Sequence, residues 1–442
     1  MPPNTNFVVK STLGINPIAS RAKGGTLSTG LWLEERKKTD GAEGYWRIHD
    51  GIYDLTEFVH KHPGGSEWLT LTKGTDITEA FEVHHLSDFP KDMLKKFFVR
   101  QAKTKRNMPF TFEDDGFYRT LRREVQPILK SLPKQSYNNT NFFTDSLLVL
   151  TFVLSILAVK MWSFGMGMLA GLFLGMLTVA GHNYFHMKDN IRMYYFQFST
   201  LLVRDWRISH ALSHHLYTNT IIDLEIIMFE PILQYLPIKK TPLKKALSVL
   251  SAPIVWATLF HSSLIRTWIH MSRKTFKFTD LSWLILPIVI YLFGRKSFLD
   301  TFVMWNFIIA CGSTYLGFVG LNAGHHHPEV FHDGDTPRSE KYDWGLGQLD
   351  ALMDRKEVTG SHFLVLTNFG DHALHHFFPT LDHGQLEHLY PTFKNVLKRF
   401  NVNLRMVSQI DTIKGSFQQL VRDKANSCPP DLKKYPLEEK EY

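Results

Sequence analysis

Residues 164–186 read FGMGMLAGLFLGMLTVAGHNYFH, an apolar run that ends in two histidines. No acidic or basic side chain precedes His182 in this run. A helix needs about 20 apolar residues to cross about 30 Å of hydrocarbon, so the run predicts a membrane span. Positions i and i+4 share one face of a helix, and His182 and His186 can therefore present two imidazoles to one metal ion.

Other apolar stretches predict three more spans and one interfacial segment. The predicted spans are residues 142–162, 281–294 and 298–321. Residues 281–294 are short for a span, and the alternative for the last two stretches is a buried hairpin in a soluble core. Residues 248–269 are also apolar, but His261 and Arg266 within them favour a helix at the membrane interface.

The even number of predicted spans places the N-terminal region, residues 182–246 and the chain after residue 321 on one side of the membrane. Basic pairs lie on that side, at Lys239-Lys240 and Lys244-Lys245. Cytoplasmic loops carry an excess of lysine and arginine. We therefore expect a multi-pass membrane protein whose termini and histidine clusters face the cytosol.

The composition narrows the chemistry further. The 442 residues carry a net charge of +8, which suits an anionic membrane surface, and no nucleic-acid-binding motif accompanies this charge, so we expect no nucleic-acid partner. The two cysteines, Cys311 and Cys428, exclude a disulfide scaffold and a zinc site built on paired cysteines. Of the 22 histidines, 17 fall between His182 and His388, so histidine is expected to carry the chemistry.

A globular pattern of short β-like and helical runs occupies residues 31–100. Within it, residues 62–65 read His-Pro-Gly-Gly. The proline stiffens the turn, and the two glycines let the backbone approach a flat ligand closely. A second histidine, His84 or His85, can face His62 across the same ligand.

The run at residues 46–58, together with the His-Pro-Gly-Gly motif, resembles cytochrome b5. The resemblance covers about residues 31–100 and implies an α+β domain that binds haem b between two histidines, for electron transfer rather than oxygen binding. It implies His62 as the first axial ligand and His85 as the second, with His84 as the alternative. It also implies an NAD(P)H-dependent cytochrome b5 reductase as the electron donor.

Two more histidine clusters follow the first. Residues 210–215 read His-Ala-Leu-Ser-His-His. On an α-helix, His210 and His214 share a face, whereas His215 is turned about 100° away toward a neighbouring metal ion. Residues 372–376 read His-Ala-Leu-His-His and place three histidines on one stripe. Imidazole suits iron, zinc or copper, so the residue type alone leaves the metal open.

The three clusters, HxxxH, HxxxHH and HxxHH in this order, resemble the histidine boxes of the membrane fatty acid desaturase family. The resemblance covers about residues 140–400 and implies an all-α transmembrane domain with two non-haem iron ions. A further Asn-x-x-x-His element of the family corresponds to Asn322 and His326, while His325 and His327 are equally compatible with positions beside the ligands or in solvent. The implied ligands are His182, His186, His210, His214, His215, His326, His372, His375, His376 and Asn322.

Each metal-binding imidazole needs a partner on its other ring nitrogen, which fixes its tautomer. Carboxylates within or beside the clusters are the candidates for this role, although each is also typical of a helix cap or a solvated charge. These candidates are Asp189, Asp205, Asp223, Glu225, Asp343 and Asp371.

A cytochrome b5 module ahead of such boxes is typical of front-end desaturases, but two features depart from that pattern. The third box begins with His372, where front-end enzymes usually have glutamine, and the second box contains one extra residue. These departures leave the position of a double bond open, while the implied metal chemistry is retained.

The resemblance implies an oxygen-dependent lipid desaturase of the endoplasmic reticulum, in which the haem passes electrons to a di-iron centre that acts with O2 on an acyl chain. Two alternatives stay open. One is a lipid hydroxylase with the same metal sites, and the other is a catalytically inactive, membrane-anchored electron carrier. The predicted domains are a flexible tail (1–30), the haem domain (31–100), a linker with a surface helix (101–140), the membrane domain (141–400) and a cytosolic tail (401–442).

Overall fold

A computed structural model describes residues 10–18, 28–273, 275–339 and 341–435. The α-helices are α1 Thr29–Thr39, α2 Ser66–Thr72, α3 Thr78–His84, α4 Phe89–Leu94, α5 Phe117–Leu129, α6 Lys134–Met161, α7 Phe164–Phe185, α8 Val203–Trp206, α9 His215–Tyr217, α10 Leu224–Ile227, α11 Pro242–Ser272, α12 Ile285–Gly294, α13 Phe298–Gly320, α14 Trp344–Ala351, α15 His362–Asn368, α16 His372–Phe377, α17 His383–Leu386, α18 Tyr390–Arg399 and α19 Gln409–Val421. The strands are β1 Trp46–Ile48, β2 Gly51–Tyr53, β3 Phe98–Gln101, β4 Phe110–Thr111, β5 Tyr342–Asp343, β6 Asp354–Arg355 and β7 Met406–Val407. Short 3₁₀ helices occupy Thr56–Lys61, Lys95–Phe97, Ile191–Ser199, Phe278–Leu284 and Glu387–Leu389, and a π-helix occupies Arg207–His214.

The N-terminal domain is built on an antiparallel sheet in the order β1-β2-β3. Trp46 pairs with Tyr53 across β1 and β2, and Gly51 pairs with Gln101 across β2 and β3. Trp46 is fully buried and donates from Nε1 to the carbonyl of Leu69 at 3.1 Å, which ties the sheet to α2. This α+β domain followed by a helical domain confirms the predicted fold class.

The helical domain contains a bundle of α6, α7, α12 and α13. Gly167 lies against Met304 and Gly175 against Tyr315, so α7 and α13 run in the same direction. The absence of a side chain at these glycines lets the two helices approach closely. Gly294, the last residue of α12, packs against Val159 near the end of α6. Helix α7 begins at that end of α6 and runs alongside α13, so α12 runs in the opposite direction to α13. The ends of α7 and α13 that lead into histidines therefore lie together.

Within the described part of the chain, four helices are long and apolar enough to cross a membrane by length and composition, namely α6, α7, α11 and α13. By this criterion, which uses length and composition alone, two of the five apolar segments fall in the other class from the one predicted. The stretch predicted to be interfacial, 248–269, lies within a helix of 31 residues, whose N-terminus is capped by the Thr241 side chain. The span predicted at 281–294 belongs to a shorter apolar segment, Phe278–Gly294.

Helix α11 contacts the histidine-bearing side of the molecule at both ends. Near its start, Lys245 pairs with Asp423 at 2.7 Å, and near its end, His270 lies 3.1 Å from Asp205. Between these contacts, Ser313 of α13 donates to the carbonyl of Trp256 at 2.6 Å. Helix α11 therefore crosses α13 close to the end of α13 that leads into the histidines.

Both predicted tails contain residues that pack on the core. Ile15 and Ile18 are buried, and Ser11 donates to the carboxylate of Asp333 at 2.9 Å. The C-terminal region forms β7, which pairs with β6, and α19, which packs against α11. The predicted surface helix is α5, and its residue Phe117 is fully buried. Residues 1–9 and 19–27 of the predicted tail lie outside the described residues.

Candidate metal and haem sites

Five histidines converge at the end of α7 and form a first group. One ring nitrogen of each lies within 4.8 Å of the others. Nε2 of His182 lies 2.7 Å from Nε2 of His210 and 3.0 Å from Nε2 of His186. The corresponding distance to His375 is 3.3 Å. The members of the first group are His182, His186, His210, His215 and His375, and all are buried.

A second group of buried histidines adjoins the first. Nε2 of His325 lies 2.6 Å from Nε2 of His372 and 3.1 Å from Nε2 of His376. His214 joins His325 and His376 within 4.8 Å. The two groups touch where the rings of His215 and His376 stack, with centroids 4.1 Å apart.

The second box divides its histidines between the groups differently from the prediction. Spacing on an α-helix pairs His210 with His214, but the box lies at the end of a π-helix, and the amide of His215 bonds to the carbonyl of His210. A π-helix repeats at i+5. His210 and His215 therefore belong to the first group and His214 reaches the second, while His210 and His214 also lie together around Glu225.

The structure brings His325, and not the predicted His326, into the second group. Gly324 has a φ of +137° and lies against the backbone of Met353, a conformation that suits glycine and turns the chain after α13. The ring of His326 instead stacks on Tyr235, with centroids 3.6 Å apart. Asn322 donates to a carbonyl of α13 at 2.9 Å and is not in either group.

Several of the grouped imidazoles have a partner on Nδ1. Glu225 lies 2.7 Å from Nδ1 of His210, and Asp223 lies 2.9 Å from Nδ1 of His214. Both carboxylates were among the predicted tautomer-fixing candidates. Two partners were missed, because no spacing in the sequence signals them. They are Gln348, 3.1 Å from Nδ1 of His376, and His383, 3.1 Å from Nδ1 of His375.

We expect Glu225→Gln to weaken metal binding about 10- to 100-fold, because the charge that holds the His210 ring and its tautomer is lost. The measurement is the metal retained by purified protein during titration with a chelator. Asp115→Asn, at an exposed position, is the matched control and should leave the titration unchanged. An identical titration for Glu225→Gln contradicts the positioning role of this carboxylate.

The donor set fits metal ions better than it fits hydrogen bonding. Nitrogens bound about 2.1 Å from one ion at right angles are about 3 Å apart, close to the Nε2 separations of the first group. Burial and the neighbouring imidazoles lower the pKa values of His215, His375 and His376 well below 6.5, so these rings are neutral, the form that binds metal. Nδ1 of His186 and of His372 has no hydrogen-bond partner among the described residues.

His214 differs electrostatically from the other grouped histidines. Burial opposes its charged form, but Asp223 and Glu225 outweigh that effect and raise the pKa of His214 to about 9. The same carboxylates are available to compensate a bound cation. Two negative charges beside one end of the cluster therefore favour divalent metal there.

In the N-terminal domain, the rings of His62 and His85 face each other with centroids 6.1 Å apart. Nδ1 of His62 lies 2.9 Å from the carbonyl of Gly65, and Nδ1 of His85 lies 3.0 Å from that of Phe81. Both Nε2 atoms are thus left for a ligand between the rings. Burial is the main cause that lowers the pKa of His85 to about 4 and keeps this ring neutral. This pair fits the two axial positions of a haem.

His84, the alternative to His85, lies elsewhere. Its ring packs edge-on against Trp68 with centroids 5.7 Å apart, and its buried Nε2 has no hydrogen-bond partner among the described residues. The structure therefore brings His85, rather than His84, opposite His62.

The haem domain is docked beside the first metal-binding group. Gly65 of the His-Pro-Gly-Gly turn lies against the carboxylate of Asp189, three residues after the first box. Arg207, which is buried, pairs at 2.8 Å with both Asp189 and Glu67. Its guanidinium also lies 4.7 Å from the ring of Trp68. One arginine of the membrane domain thus holds the haem-binding turn next to the histidines.

A cavity of about 900 Å³, including its open mouth, borders the histidine groups. His210 and His372 form part of its wall, and the remaining wall is mainly apolar, with Leu201, Leu259 and Phe369 among its residues. This shape suits an apolar chain that extends toward the metal-binding groups.

Comparisons with known proteins match two regions of the chain. Residues 32–103 match the cytochrome b5-like heme/steroid binding domain, and residues 160–408 match the fatty acid desaturase family. The chain is 41% identical to the cytochrome b5-related protein of Drosophila melanogaster over 91% of this chain and 94% of that protein. It is 23% identical to the probable Delta(5) fatty acid desaturase C of Dictyostelium discoideum over 84% of this chain and 90% of that protein. No solved structure matches the chain. The chain therefore belongs to the fatty acid desaturase family, with a cytochrome b5-like domain ahead of its desaturase domain.

Proposed function

We propose that this protein is a membrane-bound, oxygen-dependent acyl-lipid desaturase that receives electrons through its own haem domain. The observation that carries the proposal is the pair of adjoining, buried histidine groups at the wall of an apolar cavity. The first group would hold one iron ion, and His214, His325, His372 and His376 would hold a second. His62 and His85 would hold haem b.

When bound, the iron pair would supply an oxidant strong enough for an unactivated methylene, and the haem would supply single electrons. The protein's own side chains have three tasks around these groups. Apolar residues such as Leu259 and Phe369 would align the acyl chain and exclude water. Asp223 and Glu225 would hold the second-box imidazoles with Nε2 free for metal. Neutral, buried rings such as His375 would provide uncharged nitrogen donors.

The partners and location follow from this proposal. An NAD(P)H-dependent cytochrome b5 reductase would reduce the haem domain, and O2 and a lipid acyl chain would be the substrates. The endoplasmic reticulum membrane would be the site of action, with the metal sites and both termini on the cytosolic face. The basic pairs at Lys239-Lys240 and Lys244-Lys245 support this orientation.

The test is expression in a host that lacks endogenous desaturation, followed by lipid profiling and a count of iron per haem. We expect acyl chains with a new double bond and about three iron atoms per haem. Hydroxylated acyl chains would instead identify the protein as a hydroxylase with the same metal sites. About one iron per haem, without a new lipid, would identify an electron carrier instead.

We expect Arg207→Met to slow electron transfer from haem to iron at least about tenfold, because Glu67 and Asp189 lose the cation that docks the haem-binding turn. The measurement is stopped-flow reoxidation of the reduced haem by O2 in protein with full iron content. Arg100→Met, on β3 of the haem domain, is the matched control and should reoxidise at the native rate. An unchanged rate in Arg207→Met would show that this docking does not limit electron transfer.

A further inference from the structure

Arg266 is the only lysine or arginine among the described residues that line the cavity. It projects from α11 and contacts Sδ of Met228 at 3.8 Å. Met228 lies one helical turn after Glu225, and Glu225 contacts His210. Arg266 is therefore placed on the same cavity wall that leads to the histidine groups.

The Arg266 guanidinium forms no ion pair with any described residue. The charge of Arg266 stabilises the ionised carboxylate of Asp205, but that carboxylate already has two hydrogen-bond partners, His270 at 3.1 Å and Thr29 at 3.0 Å. Glu225, the one carboxylate in the described cavity wall, is bound to His210. A half-buried guanidinium beside an apolar wall is stabilised by an anionic oxygen, for which its planar donors are suited. The missing partner is therefore expected to be an anionic group of a ligand.

The cavity reaches the surface beside α11, because Ser262 both lines the cavity and is exposed. The outer face of this helix carries large exposed apolar side chains on both sides of Thr258. Leu250, Ile254, Ile265 and Trp268 are 61–70% exposed, which is typical of a surface covered by lipid. A ligand that enters here would come from the bilayer rather than from water.

We propose that the cavity takes an acyl chain that is still esterified in a membrane phospholipid, and that Arg266 binds the phosphodiester at the mouth beside α11. This inference rests on the proposed function and specifies its substrate class. The phosphate supplies the anionic oxygens that the guanidinium lacks, and the acyl chain extends along Leu259 toward the histidines. Arg266 is then the residue that selects phospholipid-bound chains.

The test is photolabelling of purified full-length protein, in detergent micelles, with a phosphatidylcholine that carries a diazirine on its acyl chain. We expect labelled peptides that contain Trp206 and Leu259, two cavity-lining residues. Labelling in Arg266→Gln is expected to fall at least about tenfold, because a charge-assisted contact is lost. Arg266→Lys keeps the charge and should stay within about threefold of the native protein. Arg273→Gln, at the exposed end of the same helix, is the matched control and should label normally.

Competition separates the sources of the anionic group. Unlabelled phosphatidylcholine should suppress labelling at lower concentration than acyl-CoA or free fatty acid with the same chain. The reverse order, or equal labelling of native protein and Arg266→Gln with normal haem and iron content, overturns the proposal. Labelling needs neither O2 nor electrons, so specific labelling without a new lipid product contradicts the proposed function alone. A desaturated product without cavity labelling contradicts the phospholipid proposal alone.

Discussion

Replacing His375 with alanine is expected to remove non-haem iron from the protein and to leave the haem spectrum unchanged. His375 is buried, and its Nε2 lies 3.3 Å from Nε2 of His182, while its ring is 4.6 Å from that of His215. It is the one member of the third box in the first group, so its loss removes the only donor that this box contributes to the group. We expect at least about a 100-fold loss of iron affinity.

Product formation by His375→Ala should fall at least about 1,000-fold, since the oxidising chemistry depends on the metal. The measurements are iron content by elemental analysis, the haem Soret band and the lipid profile of the same preparation. His388→Ala is the matched control, because this histidine contacts Ser136 and belongs to neither group. Full iron content in His375→Ala would contradict the proposed ligand set.

Replacing His62 with alanine is expected to abolish haem binding, with loss of at least about 90% of the Soret absorbance, because one of two axial ligands is removed. Non-haem iron should stay bound, since His62 lies in the N-terminal domain. Electron delivery to the metal-binding groups should fail in the same protein.

The neighbouring histidines provide the sharper comparison. His85→Ala should lose the bis-histidine spectrum, because the ring of His85 faces His62 at 6.1 Å. His84→Ala should keep that spectrum, because His84 packs on Trp68 instead. If His85→Ala kept the bis-histidine spectrum and His84→Ala lost it, His84 rather than His85 would be the second axial ligand. Both variants are measured by absorbance of the oxidised and dithionite-reduced protein.

Local patterns in the sequence were sufficient for the fold class and for most of the histidines that converge. The run that ends at His182 and His186 combines a span length with an i,i+4 pair, and both properties are set within a few helical turns. The His-Pro-Gly-Gly motif likewise depends on a single turn. Such features are predictable because the interactions that produce them join residues that are close in the chain.

The apolar segments show where this approach loses accuracy. Hydropathy identified all five, but it did not give the length of α11 or the position of its ends. Those ends are held by Asp423 and Asp205, which come from distant parts of the chain. The burial of Ile15 in the predicted tail has the same origin, because the neighbouring Ser11 and Thr12 bond to Asp333, far along the chain.

The sequence by itself determined that two histidine-rich sites exist, since spacing and hydropathy are local properties. It placed one site ahead of the membrane domain and the other where predicted membrane spans end. Only the tertiary structure decided which rings meet. The π-helix assigned His215 to the group of His210, and the turn at Gly324 directed His325 inward. The docking of Arg207 on the haem domain was also decided there. Each of these contacts depends on how remote segments pack, which residue spacing does not specify.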